Sequence, residues 1–125
     1  MPQRVLLCDD EIHILRAAEI KFRHAGYEVL LASDGEEAWQ RILADQPDIL
    51  VTDYQMPRVD GLELVRRLRS NPDTKHLPVL MLTAKGFELR AEELASQWNV
   101  RGLMAKPFSP RELLQTVQGI IGPSA

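Results

Sequence analysis

The chain has a single cysteine, Cys8, among its 125 residues, so no disulfide can close within it. Cys8 lies inside the apolar run RVLLC, where a small buried hydrophobe is expected rather than a reactive thiol. Long apolar runs are missing as well. No segment approaches the roughly 18 residues of a membrane span, and the opening MPQRVLLCDD has too short an apolar stretch for a secretion signal, so a cytoplasmic protein without membrane association is expected. Basic residues are not in excess: 15 Lys and Arg face 18 Asp and Glu, for a net charge of −3. Without a basic stripe, direct nucleic-acid binding by this chain is not expected. His13, His24 and His76 lack metal-ligand spacing and are expected at the surface, which with the lone strand cysteine disfavours zinc. Low-complexity tracts, internal repeats and linkers are also lacking, and 125 residues suffice for one domain with its own core, residues 1–125.

What is present is an alternation. Five short apolar runs, RVLLC, YEVLLA, DILVTD, PVLMLT and RGLMAK, have the nearly continuous hydrophobicity of strands covered on both faces. Helix-period segments separate them. The first carries Ile14, Ala18, Phe22 and Ala25 and ends at Gly26; the second opens at Ser33, Asp34 and Gly35, runs through Ala38 and Ile42, and stops before Pro47. The third carries Leu62, Val65 and Leu68 up to SNPD, and the fourth Ala91, Leu94, Ala95 and Trp98. The fifth is opened by Ser109 and Pro110 and carries Leu113, Val117, Ile120 and Ile121. Five β-α repeats in succession imply an α/β fold, a parallel sheet with helices on both faces.

The polar residues that close these strands are the informative ones. Asp9 and Asp10 follow the first, Asp53 ends the third, Thr83 the fourth and Lys106 the fifth. Ligands of open α/β sheets bind beyond the carboxyl ends of the strands, so these residues should converge on one pocket. Each alone is a common strand terminator; the set is hard to explain structurally. Three carboxylates within about 4 Å repel by roughly 4 kcal/mol per pair at an effective dielectric near 20, which calls for a cation. Magnesium fits an all-oxygen donor set that includes water and phosphate, whereas calcium asks for more protein ligands. A metal, a hydroxyl and an ammonium around one carboxylate describe a carboxylate that is itself phosphorylated, as the nucleophile on phosphorus.

At this point the sequence resembles the receiver domain of two-component response regulators over essentially its whole length. LLCDDE resembles that family's acidic pair, VTDYQMPRVDG its phosphoacceptor segment, LMLTA its hydroxyl and small residue, and AKPF its lysine-proline pair. The resemblance implies a doubly wound, flavodoxin-like (βα)5 sheet of strand order 2-1-3-4-5. It makes Asp53 both the phosphoacceptor and a magnesium ligand, Asp10 a direct magnesium ligand, Asp9 a ligand through water, and the Gln55 backbone carbonyl a further ligand. Thr83 and the backbone N–H of Ala84 would contact phosphoryl oxygens, Lys106 would pair with one, and the Lys106–Pro107 bond would be cis. Met56, Pro57 and Gly61 match the loop after the phosphoacceptor. The donor would be a histidine kinase or histidine phosphotransfer protein, and the output a partner protein docked on the face of the fourth helix, fifth strand and fifth helix. With Met1 at one end and GIIGPSA at the other, a stand-alone regulator is the plain reading and a domain excised from a larger regulator or hybrid kinase the alternative.

The chain departs from the family at Leu103, where an aromatic often serves as a rotating switch; Tyr54, Phe87, Trp98 and Phe108 read as loop packing or core rather than replacements. Gln55 and Lys85 stand two beyond Asp53 and Thr83, flanking the path of a hydrolytic water in similar receivers. Two rival classes share the strand pattern. A phosphohydrolase of the haloacid-dehalogenase type needs a second Asp where this chain has Gln55, and a flavodoxin needs a phosphate-cradling loop where Asp9, Asp10 and Glu11 would repel phosphate.

Overall fold

In the computed structural model, residues 2–84 and 88–123 are described, and within the latter span the side chains at 88, 89, 91, 94 and 95 are not. The elements alternate strictly: β1 (Arg4–Cys8), α1 (Ile12–His24), β2 (Glu28–Ala32), α2 (Gly35–Asp45), β3 (Ile49–Asp53), α3 (Gly61–Arg69), β4 (Val79–Thr83), α4 (Glu88–Trp98), β5 (Gly102–Ala105) and α5 (Pro110–Ile121). All strand pairs are parallel, in the order β2-β1-β3-β4-β5, as the family resemblance implies.

Alternation along the strands divides the core in two. Val5 and Leu7, Ile49 and Val51, and Leu80 and Leu82 point to the side where Leu15, Ala18 and Phe22 of α1 meet Leu113, Leu114 and Val117 of α5. Leu6 and Cys8, Leu50, Val79 and Met81 point to the other, against Ala38 and Ile42 of α2 and Leu64, Val65 and Leu68 of α3. β3 and β4 are buried along their whole length, as their continuous apolar runs require, while β5, at the sheet edge, is half-buried and ends exposed at Ala105.

Two helical stripes sit one or two residues from where the sequence pattern placed them. α1 buries Leu15 in place of the expected Ile14, which is half-buried, and α3 buries Leu64 in place of Leu62. Each helical residue is turned by about 100° from the one before it, so Ile14 lies about 100° from Leu15 and Leu62 about 200° from Leu64, and only the member of each pair that faces the sheet is engulfed. On α5, Ile120 and Ile121 pack at the margin, and Leu114 joins the core instead. The expected Ala91, Leu94 and Ala95 stripe of α4 lies outside the described side chains, while Trp98 packs half-buried against the α2 and α3 side.

Three helices are started by the same device. Asp34, Asp60 and Ser109 each accept the backbone N–H three residues on, at 2.8, 2.8 and 3.1 Å, and in each case that residue is a glutamate. These caps satisfy donors that helix starts leave unpaired and fix where each loop hands over to its helix.

Candidate phosphoryl and metal site

The sheet ladder continues one residue beyond several strand ends. The Asp9 N–H donates to the Ala32 carbonyl at 3.1 Å, the Tyr54 N–H to Leu82 at 2.8 Å and the Lys106 N–H to Thr83 at 2.8 Å. This places the residues that follow β1, β3, β4 and β5 along one edge of the sheet. Carboxylate oxygens of Asp9, Asp10, Glu11 and Asp53 lie within 4.8 Å of one another there. Beside them is a cleft of about 450 Å³ lined by Asp10, Glu11, Asp53, Gln55, Met56, Pro57, Ala84 and Lys106.

Depth grades the four acids. Asp9 is 1% exposed and Asp53 7%, whereas Asp10 and Glu11 are open to solvent. Asp9 Oδ1 accepts the Glu11 N–H at 3.0 Å, which ties the start of α1 to the floor of the site. Lys106 Nζ spans the cluster, 2.8 Å from Glu11 Oε1, 2.9 Å from Asp9 Oδ2 and 3.2 Å from Asp53 Oδ2.

The electrostatics follow from this crowding. Burial first, and the charge of Asp9 second, push the Asp53 carboxyl up to about 6, against the pull of Lys106 and the Gln55 N–H. Burial likewise raises Asp9, opposed by its bonds to the Glu11 N–H and Lys106. Burial alone would lower Lys106, but its bonds to Glu11 and Asp9 and the charge of Asp53 outweigh it and hold the ammonium above its usual range. Glu11 is lowered by its bond to Lys106. Among the described residues, four carboxylates against one ammonium leave three negative charges uncompensated when all are ionised.

An oxygen-only donor set with excess negative charge and an open side suits a hard divalent cation such as magnesium. Thr83 strengthens the fit to an oxyanion beside it: the residue is 1% exposed and its buried Oγ1 has no hydrogen-bond partner among the described residues. A buried hydroxyl is rarely left unsatisfied unless something else supplies its partner.

A family model, response regulator receiver domain, matches residues 5–118. The chain belongs to the response regulator receiver family. It is 37% identical over 121 residues to the alkaline phosphatase synthesis transcriptional regulatory protein PhoP of Bacillus subtilis, covering 97% of this chain and 49% of that protein. The chain spans about half the length of the curated relatives it matches. A putative response regulator from Chloroflexus aurantiacus superposes with a TM-score of 0.88 at 40% identity, covering 97% of this chain and 98% of that one. The receiver domain of a sensor histidine kinase from Pseudomonas aeruginosa superposes with a TM-score of 0.85 at 29% identity, over 98% and 99% of the two chains, and holds magnesium in its active site cleft.

This receiver is therefore a phosphoryl-accepting switch of two-component signalling, and the phosphohydrolase reading has no support. Asp9, Asp10, Asp53, Thr83 and Lys106 fall at the one edge that the strand-end argument predicted, and Gln55 and Ala84, which the resemblance implied, line the cleft beside them. The Lys106–Pro107 bond is cis. Tyr54, Trp98 and Phe108 are half-buried packing residues, and the three histidines are exposed. Lys85 and Phe87 lie outside the described residues. Sequence reasoning missed Glu11 as a partner of Lys106; its only signal was the third acid in CDDE. It also missed the pairing of Arg58 with Asp34, which join from different segments.

Proposed function

We propose that Asp53 is the phosphoacceptor of a single receiver domain, residues 1–125, and that its neighbours divide the work as follows. Asp10 is a direct ligand of magnesium, Asp9 acts through water, and the Gln55 backbone carbonyl completes the protein ligands. Bound magnesium supplies positive charge to the phosphoryl oxygens. Asp53 attacks phosphorus with a carboxylate oxygen, the bond to the donor histidine breaks, and an acyl phosphate forms on Asp53. Thr83 through its hydroxyl and Ala84 through its N–H receive the phosphoryl oxygens, and Lys106 exchanges its carboxylate partners for one of them.

The observation that carries this reading is the setting of Asp53. It is the one carboxylate on the central strand, it is buried, and it faces Asp9 on one side and Lys106 at 3.2 Å on the other. Its raised titration near 6 still leaves it ionised, and so nucleophilic, at neutral pH. The chain catalyses only its own phosphorylation and dephosphorylation. The chain acts in the cytoplasm, its donor is a histidine kinase or histidine phosphotransfer protein, and the output is a partner protein recognised on the α4-β5-α5 face rather than nucleic acid. The test is labelling by acetyl phosphate with magnesium: Asp53→Asn is expected to abolish it, and undiminished labelling of that variant would overturn the assignment.

A further inference from the structure

The loop between β3 and α3 brings Gln55, Met56 and Pro57 to the cleft, and its far end leans on the start of α2. A Cβ at Gly35, the first residue of α2, would collide with the Val59 carbonyl, so the two segments meet backbone to backbone. Beside this junction the Arg58 guanidinium donates to Oδ2 of Asp34, the α2 N-cap, while Asp34 Oδ1 accepts the Glu37 N–H at 2.8 Å. Asp34 is 5% exposed, and Arg58 first and the Glu37 N–H second hold its carboxyl below the usual range. One buried carboxylate thus caps its helix with one oxygen and holds the loop with the other.

The backbone at Arg58 adds a second observation. Its φ of 66° lies in the left-handed region, which glycine or asparagine occupies more easily than arginine. An arginine there is disfavoured by its own backbone, yet its side chain is the one that reaches Asp34. Arg67 of α3 runs parallel to it, donating to Glu36 at 2.9 Å, so two arginines from the loop and its helix meet the acidic first turn of α2. An exposed ion pair contributes little by itself, but here one partner is buried and the tethered loop carries Gln55.

We propose that Arg58 and Asp34 are positioning residues: their ion pair clamps the β3–α3 loop onto α2 and holds Gln55 where it can serve the cation site. The clamp rests on the reading of the cleft as a magnesium and phosphoryl site. Partners one step removed from a metal typically change its affinity when lost, because they orient the groups that touch it.

Two variants separate this role from plain stability. Asp34→Asn keeps a capping side chain but removes the charge. Arg58→Asn keeps a residue at ease with positive φ but is too short to reach Asp34. Magnesium affinity is measured by titration calorimetry, and folding by urea unfolding in chelator. Each variant is expected to bind magnesium about tenfold more weakly, and the double variant no more weakly than either single one. The unfolding midpoint of Arg58→Asn is expected at or above that of wild type. Unchanged magnesium affinity in the folded single variants, or losses that add in the double variant, would overturn the clamp. A wild-type chain that binds no magnesium would overturn the assignment of the cleft itself, and the clamp with it.

Discussion

Replacing Asp53 by Asn should make the metal-free protein more stable, although it removes the proposed phosphoacceptor. Asp53 is buried beside Asp9, and its carboxyl is raised from 3.8 to about 6. A carboxyl raised on folding is one whose ionisation the native state resists. The resulting penalty is absent below the unfolded value near 4 and fully present above about 6, so stability is lost as pH rises through that window. A shift of about two units corresponds to roughly 3 kcal/mol at 1.36 kcal/mol per unit, and screening by water in the open cleft brings the expected gain to about 1–3 kcal/mol. The amide oxygen of Asn can still accept the Gln55 N–H, and Lys106 keeps Asp9 and Glu11 as partners. The assay is urea unfolding of wild type and Asp53→Asn in chelator across the window from pH 4 to pH 7.5. The variant is expected to be more stable at the upper end, the difference shrinking toward the lower end. Magnesium should narrow the gap at neutral pH by binding native wild type. A variant that is less stable than wild type at neutral pH, or a difference that does not change with pH, would refute the reasoning.

Asp10→Ala is expected to remove the magnesium dependence of acetyl phosphate labelling together with most of the labelling, and equal labelling of wild type with and without chelator would contradict it. Lys106→Ala should leave magnesium binding intact but give only a partial conformational response to beryllofluoride in amide chemical shifts. A charged hydrogen bond contributes about 1.5–3 kcal/mol, while moving a two-state equilibrium from 1:99 to 99:1 takes about 5.5 kcal/mol; a full response would count against it. Leu103 is half-buried against the α2 and α3 side, so Leu103→Ala should cost less than the 2–5 kcal/mol of a fully buried truncation. The folded variant should still shift its α4-β5-α5 amides with beryllofluoride, and loss of those shifts would make Leu103 itself the switch.

The strands and the core of the site were legible because both are governed by position along the chain. A strand buried on both faces, such as Ile49–Asp53, must be apolar throughout, so the first charge at its end stands out. Asp9, Asp53, Thr83 and Lys106 were readable for that reason. Glu11 was not, because a glutamate just before a helix has an ordinary local role, and only the fold shows that Lys106, 95 residues away, comes to it at 2.8 Å. The same holds for Arg58 and Asp34, 24 residues apart, whose meeting depends on how close the backbone at Gly35 comes to Val59. The choice between Leu15 and Ile14, or Leu64 and Leu62, turns on which face of the helix meets the sheet, about 100° apart in the first pair and about 200° in the second, and a short stretch with apolar residues on both faces leaves that open.

The order of the strands gives the site a direction. β3 lies between β1 and β4, so Asp53 has the acids that follow β1 on one side and Thr83 and Lys106, at the ends of β4 and β5, on the other. The acids repel added negative charge at Asp53, and a bound cation would offset that repulsion at neutral pH. On the proposed reading, Thr83, whose hydroxyl has no hydrogen-bond partner among the described residues, and Lys106, with an ammonium already shared among three carboxylates, are the groups placed to take phosphoryl oxygens. New charge at Asp53 therefore draws on the β4 and β5 side. β5 is the half-exposed edge of the sheet, with less packing to resist displacement than β1 or β3. A signal that starts at a buried central carboxylate is thus led by charge toward the least confined strand, which is where the proposed docking face lies.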